Sequence, residues 1–323
     1  MDFDKILKNA KKRMRPTYDE AVEFLKLDEE YFNEVLYLGG TVCNVFKGRH
    51  ISTCTIVNAK SGKCSENCRF CAQSVFSDAN IETWELQEKE KLAYYAKNDS
   101  PFGSYYGIVT SGRKLDEKEI KKIAETLKYF KKEQIPQKIC GSFGILTFEE
   151  LKFLKDNGLD RFHHNLEVSK NFFNKICTTH AWEERRKTIE NAKKAGLSLC
   201  VGGIFGVGEP VEERANLIFE IAECNPDSVP LNFLVSIKGT PLEKELPFPL
   251  FDAVKVIVLA RLAMPDKEIK IGGGRVEIFK DNHALPFLAG ADSIITGALL
   301  TVKGMSPDND FKLLKSLGFE RKN

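Results

Sequence analysis

The sequence predicts an α/β fold, a (β/α)8 barrel of the TIM type with an N-terminal helical extension. Three observations predict it. Eight short apolar or β-branched runs begin near Ile51, amphipathic stretches of helical length lie between them, and the alternation lasts roughly 250 residues, the usual span of such a barrel. An open doubly wound sheet uses the same elements but would carry GxGxxG after its first strand, and nothing in residues 51–63 has that form.

Taken in order, residues 1–50 form the extension, in which TYDEAVEFLKL and DEEYFNEVLYLG repeat apolar residues at helical spacing. The barrel domain then runs over 51–323. Its strands are expected at STCTIVN, SYYGIVTS, QKICGSFG, LDRFHHN, LSLCVGGI, SVPLNFLV, EIKIGGG and DSIITG. Between them, LDEKEIKKIAETLKYFKKE sets Ile120, Ile123, Leu127 and Phe130 on one face and lysines on the other. TFEELKFLKDNG opens on a capping box, Thr147 with Glu150, and closes on Gly158. HAWEERRKTIENAKKAG and PVEERANLIFEIAECN repeat the pattern, and FDAVKVIVLARLAM is a more buried version.

Composition narrows the function. The 48 basic and 46 acidic side chains give a formal net charge of +2, scattered rather than blocked, which excludes a nucleic-acid partner or an anionic membrane surface as the expected target. No apolar run approaches the ~20 residues of a membrane span, and the N-terminus has neither a secretory nor a transit pattern, so the expected location is cytoplasmic. In that setting nine cysteines point to metal or redox chemistry rather than to disulfides.

The densest of them are Cys64, Cys68 and Cys71 in CSENCRFC, directly after the first strand, where a barrel keeps its active site. A structural zinc site would need a second Cys/His pair, and no such pair follows at ligand spacing. Three thiolates satisfy three irons of a [4Fe–4S] cube and leave the fourth open to a ligand with its own donor atoms. This CxxxCxxC, with Phe70 before the last cysteine, resembles the signature of the radical S-adenosylmethionine superfamily. The resemblance implies that S-adenosylmethionine binds the open iron.

Further stretches in series are similar to the biotin synthases: SGKC, FHHNLEVS, CTTHAWEER, CVGGIFGVGEP, SVPLNFLVSIKGTPL and GGGR. Methylornithine synthases and hydrogenase maturases share the barrel and first cluster but not the whole series. The resemblance implies that Phe70, Glu167, Arg185, Gly202 and Gly203 contact S-adenosylmethionine, and that Asn165, Asn232 and His163 hold dethiobiotin. Glu167 stands where Asp is usual, and His163 where Asn is common. It also implies a reductant such as flavodoxin or ferredoxin, and a homodimer.

Biotin synthases draw sulfur from an auxiliary cluster held by three cysteines and an arginine. Cys140, Cys200 and Arg275 match three of these ligands, but the third cysteine falls near Gly107 and is missing. Cys54, on the first strand, is expected to replace it: Cys54, Cys140, Cys200 and Arg275 on strands one, three, five and seven would share one interior layer. The changed ligand set favours a four-iron auxiliary cluster over [2Fe–2S]. Cys43, Cys177 and Cys224 read as ordinary buried thiols. Two rivals remain: a radical enzyme of the same group that inserts no sulfur, and a zinc-stabilised binding protein without catalysis.

Overall fold

The computed structural model describes residues 1–297 and 304–321. Helices Phe3–Lys11, Tyr18–Leu25 and Phe32–Lys47 come first. Strands follow at β1 (His50–Lys60), β2 (Tyr105–Thr110), β3 (Lys138–Ser142), β4 (Arg161–His163), β5 (Ser198–Cys200), β6 (Gly203–Phe205), β7 (Ser228–Phe233), β8 (Glu268–Ile271) and β9 (Ser293–Ile295), with a two-residue β10 (Glu320–Arg321) last. All pairings are parallel, and β1 pairs with both β2 and β9, which closes the barrel. β10 lies outside the closed ring, against the start of β1.

Each of the eight strands expected from sequence is present, but the fifth is divided. Cys200 pairs with Ser228 and Gly203 with Leu231, so β5 and β6 both lie on β7 with a break between them. The break falls where Pro230 of β7 has no amide hydrogen to give and Gly202 rests on the Pro230 carbonyl; a Cβ on Gly202 would come within 1.8 Å of that oxygen.

The helices form for the reasons their sequences give. Glu117–Lys132 buries Ile120, Ile123, Leu127 and Phe130. In Phe148–Asp156 the Glu150 amide donates to Thr147 Oγ1 at 3.2 Å while Glu150 Oε2 accepts from the Thr147 amide at 2.8 Å, the reciprocal cap. Leu250–Ala263 is buried almost all round because Phe32–Lys47 packs on its outer face. Gly39 makes that packing possible: a Cβ there would lie 2.8 Å from Val258 Cγ2 of that helix, and 2.0 Å from the Ala289 carbonyl oxygen beyond it. Among the described residues no helix is long and apolar enough to cross a membrane.

A buried arginine fastens the last connections. Arg261 is fully buried, and its guanidinium donates to the carbonyls of Gly290 (2.9 Å), Pro265 (3.0 Å) and Lys267 (2.7 Å) and to Asp292 Oδ1. Asp292 Oδ1 also accepts from the Ile269 amide, at 2.8 Å, at the start of β8. Arg261→Met leaves Asp292 buried without its main counter-ion, with an expected loss of about 3–5 kcal/mol read from the midpoint of chemical denaturation.

Candidate metal and cofactor site

The loop after β1 is held in shape by its own backbone and by a partner segment. The Cys64 amide donates to the Gln73 carbonyl (2.9 Å), the Val75 amide to the Cys64 carbonyl (2.9 Å) and the Cys71 amide to the Cys68 carbonyl (3.0 Å). Residues 176–180 clamp it from outside: the Arg69 amide donates to the Ile176 carbonyl, and Asn67 exchanges hydrogen bonds with Thr178. Thr179 Oγ1 accepts from the Asn67 amide at 3.1 Å and donates to Glu66 Oε2 at 2.8 Å.

The three loop cysteines line the C-terminal mouth of a 430 Å³ cavity that runs into the barrel. Phe70, Glu167 and Arg185 stand at the same mouth. Arg185 Nη1 donates to the Asn165 carbonyl at 2.9 Å and lies 3.5 Å from Glu167 Oε1, while its Nε reaches His180 Nε2 at 3.0 Å. Arg185 is therefore held by named partners rather than solvated on its helix. Glu167 has φ +69, left-handed backbone that a non-glycine residue adopts only at a cost. Its carbonyl accepts from the Ile204 amide at 2.7 Å, which holds it there.

Sequence reasoning missed Cys177. Cys68, Cys177 and His180 present donor atoms all within 4.8 Å of one another, and among the described residues they are the one set of three His, Cys or acidic donors that tight. Cys177 Sγ is 3.3 Å from His180 Nδ1, which also touches Glu66. The hydrogen bond between the two thiols holds Cys177 low and, together with burial, pushes Cys68 up. The only advance signal was its place in CTTHAWEER beside Arg185.

Deeper in the same cavity Cys54, Cys140 and Cys200 come together from β1, β3 and β5. Gly107 lines the wall beside them, in register with Cys140. The fourth member of this layer is Lys270, not Arg275. β8 is the seventh strand around the barrel and ends at Ile271, so GGGR is not strand, and Arg275 begins the next helix. There its Nη2 donates to Asp310 Oδ1 at 2.7 Å, away from the cavity lining. Lys270 points inward, its Nζ 2.9 Å from Cys54 Sγ and 3.4 Å from Glu268 Oε1.

Charge in this layer is uneven. Burial pushes the Cys54 thiol up in spite of Lys270, and burial together with the Cys200 charge pushes up Cys140. Burial works against ionisation of Cys200 as well, but Lys270, His163 and Arg161 outweigh it and bring that thiol down to about 6. His163 Nδ1 is 3.3 Å from Cys200 Sγ, so His163 faces sulfur at this level.

The remaining expected residues divide. Asn165 and Asn232 both line the cavity, but much of their polarity is spent on the fold: Asn165 Oδ1 accepts from the Gly202 amide at 3.2 Å, and Asn232 bridges the Gly203 carbonyl (3.1 Å) and the Gly273 amide (2.9 Å). Gly202 and Gly203 do not line it. Their small size serves packing instead, against Pro230 and against the Glu167 carbonyl, where a Cβ on Gly203 would come within 2.6 Å.

Residues 59–221 match the Radical SAM superfamily, and residues 230–320 match the Biotin and Thiamin Synthesis associated domain. The chain is 38% identical over 313 residues to a biotin synthase of Thermodesulfovibrio yellowstonii, covering 95% of this chain and 98% of that one. Against a biotin synthase of Thermotoga petrophila the identity is 45% over 269 residues, 83% and 89% of the two chains. The chain belongs to the biotin synthase family. The barrel is shared more widely: a methylornithine synthase superposes with TM-score 0.84 over 98% of this chain and 97% of that one, and a FeFe-hydrogenase maturase of Carboxydothermus hydrogenoformans with 0.85 over 99% and 79%. At 17% and 16% identity these two likenesses concern the fold alone. As a radical SAM biotin synthase the protein uses a [4Fe–4S] cluster and S-adenosylmethionine. The soft thiolates at the mouth, beside a carboxylate and a guanidinium fitted to a ribose and an amino acid, suit that pair.

Proposed function

We propose that the chain converts dethiobiotin to biotin, with Cys64, Cys68 and Cys71 holding the [4Fe–4S] cluster and Cys54, Cys140 and Cys200 holding a second, sulfur-donating cluster. The observation that carries this reading is one cavity with two separate sets of three thiols, one at its mouth and one on its floor. When bound, the cofactors supply a deoxyadenosyl radical that removes hydrogen from carbon, and a sulfide to replace it.

The chain's own residues bind, orient and exclude water. Arg185 and Glu167 fix the carboxylate and ribose of S-adenosylmethionine at the mouth, and Phe70 covers the loop. Asn165, Asn232 and His163, between mouth and floor, line the space for dethiobiotin. Of the amide groups of Asn232, the backbone bonds leave only residual capacity, so its part is to shape the wall as much as to contact the ureido ring. Ile56, Ile204 and Ile295 make much of the wall apolar, which keeps water from a carbon radical. On the floor Lys270 takes the place expected of an arginine and neutralises thiolate charge. A four-iron auxiliary cluster with an additional sulfide is favoured over [2Fe–2S], since the ligand lost at Gly107 and gained at Cys54 opens room on that side. Flavodoxin or ferredoxin is the proposed reductant.

Anaerobic incubation of the iron- and sulfide-reconstituted protein with reductant, S-adenosylmethionine and dethiobiotin is expected to yield both 5′-deoxyadenosine and biotin by mass spectrometry. Deoxyadenosine without biotin would overturn the sulfur-insertion reading. Glu167→Gln is expected to weaken S-adenosylmethionine binding about tenfold, the value of one charge-assisted hydrogen bond, as measured by equilibrium dialysis.

A further inference from the structure

A second cavity, of 580 Å³, opens at the N-terminal end of the barrel, opposite the mouth that takes the cofactor. Its lining carries two lysines and two arginines, Lys47, Lys138, Arg161 and Arg321. The two acids that line it are already engaged. Asp292 faces Arg261 and Lys47, and Glu268 lies between Lys270 (3.4 Å) and Arg161 (3.5 Å). Arg161 is 96% buried by its 4% exposure, and its Nη1 has no hydrogen-bond partner among the described residues. The Arg161 guanidinium in the wall, with two lysines and a second arginine around the same space, makes this cavity a place for an anion.

The two cavities share a wall. Tyr105 lines both, and the Arg161 guanidinium sits 3.8 Å from its ring centre. Tyr105 is paired in register with Cys54, and Arg161 with Cys140. From the lower cavity a chain of charges runs inward, Arg161 to Glu268 to Lys270 to Cys54 Sγ, each step 3.5 Å or less. A small anion entering below meets one cation at the wall and a second at the floor of the thiol site.

We propose that this N-terminal cavity is an inlet for hydrosulfide, which restores the sulfur given up at the Cys54–Cys140–Cys200 site. The inference rests on that site's being the sulfur donor. Hydrosulfide is a monoanion small enough to pass one displaced aromatic ring, and the opposite mouth is filled by cofactor and substrate during turnover. Its uptake is ligand addition: HS⁻ binds iron as sulfide, its proton goes to water, and no electrons are exchanged.

The test uses holoprotein that has made one biotin. Iron is counted first; a chain holding only the mouth cluster would overturn the donor-site reading and the inlet with it. Heavy-isotope hydrosulfide is then added with S-adenosylmethionine and dethiobiotin occupying the upper mouth, and label bound per chain is followed by native mass spectrometry. Label is expected to enter the wild-type protein under these conditions. Arg161→Gln and Lys138→Glu are expected to slow its entry about tenfold or more, the scale of electrostatic steering. Lys138 is exposed, so its variant tests the inlet where Arg161→Gln affects folding. Unchanged uptake in Lys138→Glu together with block by the two upper ligands would place the entrance at the other end and overturn the proposal.

Discussion

Cys54→Ser is expected to abolish biotin formation while leaving S-adenosylmethionine cleavage intact. Serine is close to cysteine in size, so the β1 packing survives, but a hydroxyl is a hard, weakly acidic donor where iron–sulfur clusters select soft thiolate. Cys54 is one of only three thiols on the cavity floor, and Gly107 offers no side chain to replace it. Iron is expected to fall from about eight to about four per chain, since the mouth set stays whole. Deoxyadenosine release, counted beside biotin, separates this from unfolding. Wild-type biotin yield and iron content in the variant would mean that Cys54 is an ordinary buried thiol.

Lys270→Met is expected to have nearly as large an effect for a different reason. The ammonium lies between Cys54 Sγ and Glu268 Oε1, and both hold its proton more firmly than usual in spite of burial. Without it, Glu268 keeps Arg161 as its one cation beside the Ser293 hydroxyl, and burial of its charge, now offset so that its carboxyl sits at about 2, is left poorly compensated. Cys200 loses its strongest cationic neighbour, so its thiol rises from about 6 and metal must displace a proton to bind it. Biotin formation is expected to fall by about a hundredfold or more, as when one partner of a buried charge pair is removed. Lys270→Arg is expected to recover a substantial part, because the charge is kept. A normal S-adenosylmethionine affinity in both variants would place the defect on the floor.

How far these residues were visible beforehand differs by type. That Cys64, Cys68 and Cys71 stand together was legible because all three lie within eight consecutive positions, and a loop that short cannot scatter them. Cys140 and Cys200 were singled out by the family resemblance and Cys54 by the barrel's layering, in which alternate strands fill one level, and the structure brings the three to one cavity. Arg275 was misread by the same logic, since apolar text before glycines looks like strand until hydrogen bonding decides where the strand stops. Cys177 was passed over because nothing local distinguishes a buried cysteine from one brought against Cys68 by a loop more than a hundred residues away. Gly202 and Gly203 were placed at the cofactor when the need for glycine came from Pro230 and Glu167 in neighbouring strands.

By itself the sequence determined the eight-strand barrel, the capped helices around it, the three-cysteine loop proposed to hold the first cluster and the family's chemistry, because periodicity, capping and ligand spacing are local properties that a short stretch carries whole. Only the tertiary structure decided that Lys270 and not Arg275 completes the floor, that Cys177 leans on Cys68, and that a cationic cavity backs the thiol site. Each of those depends on strand register and on where a ladder ends, which are settled by pairing between residues far apart in the chain.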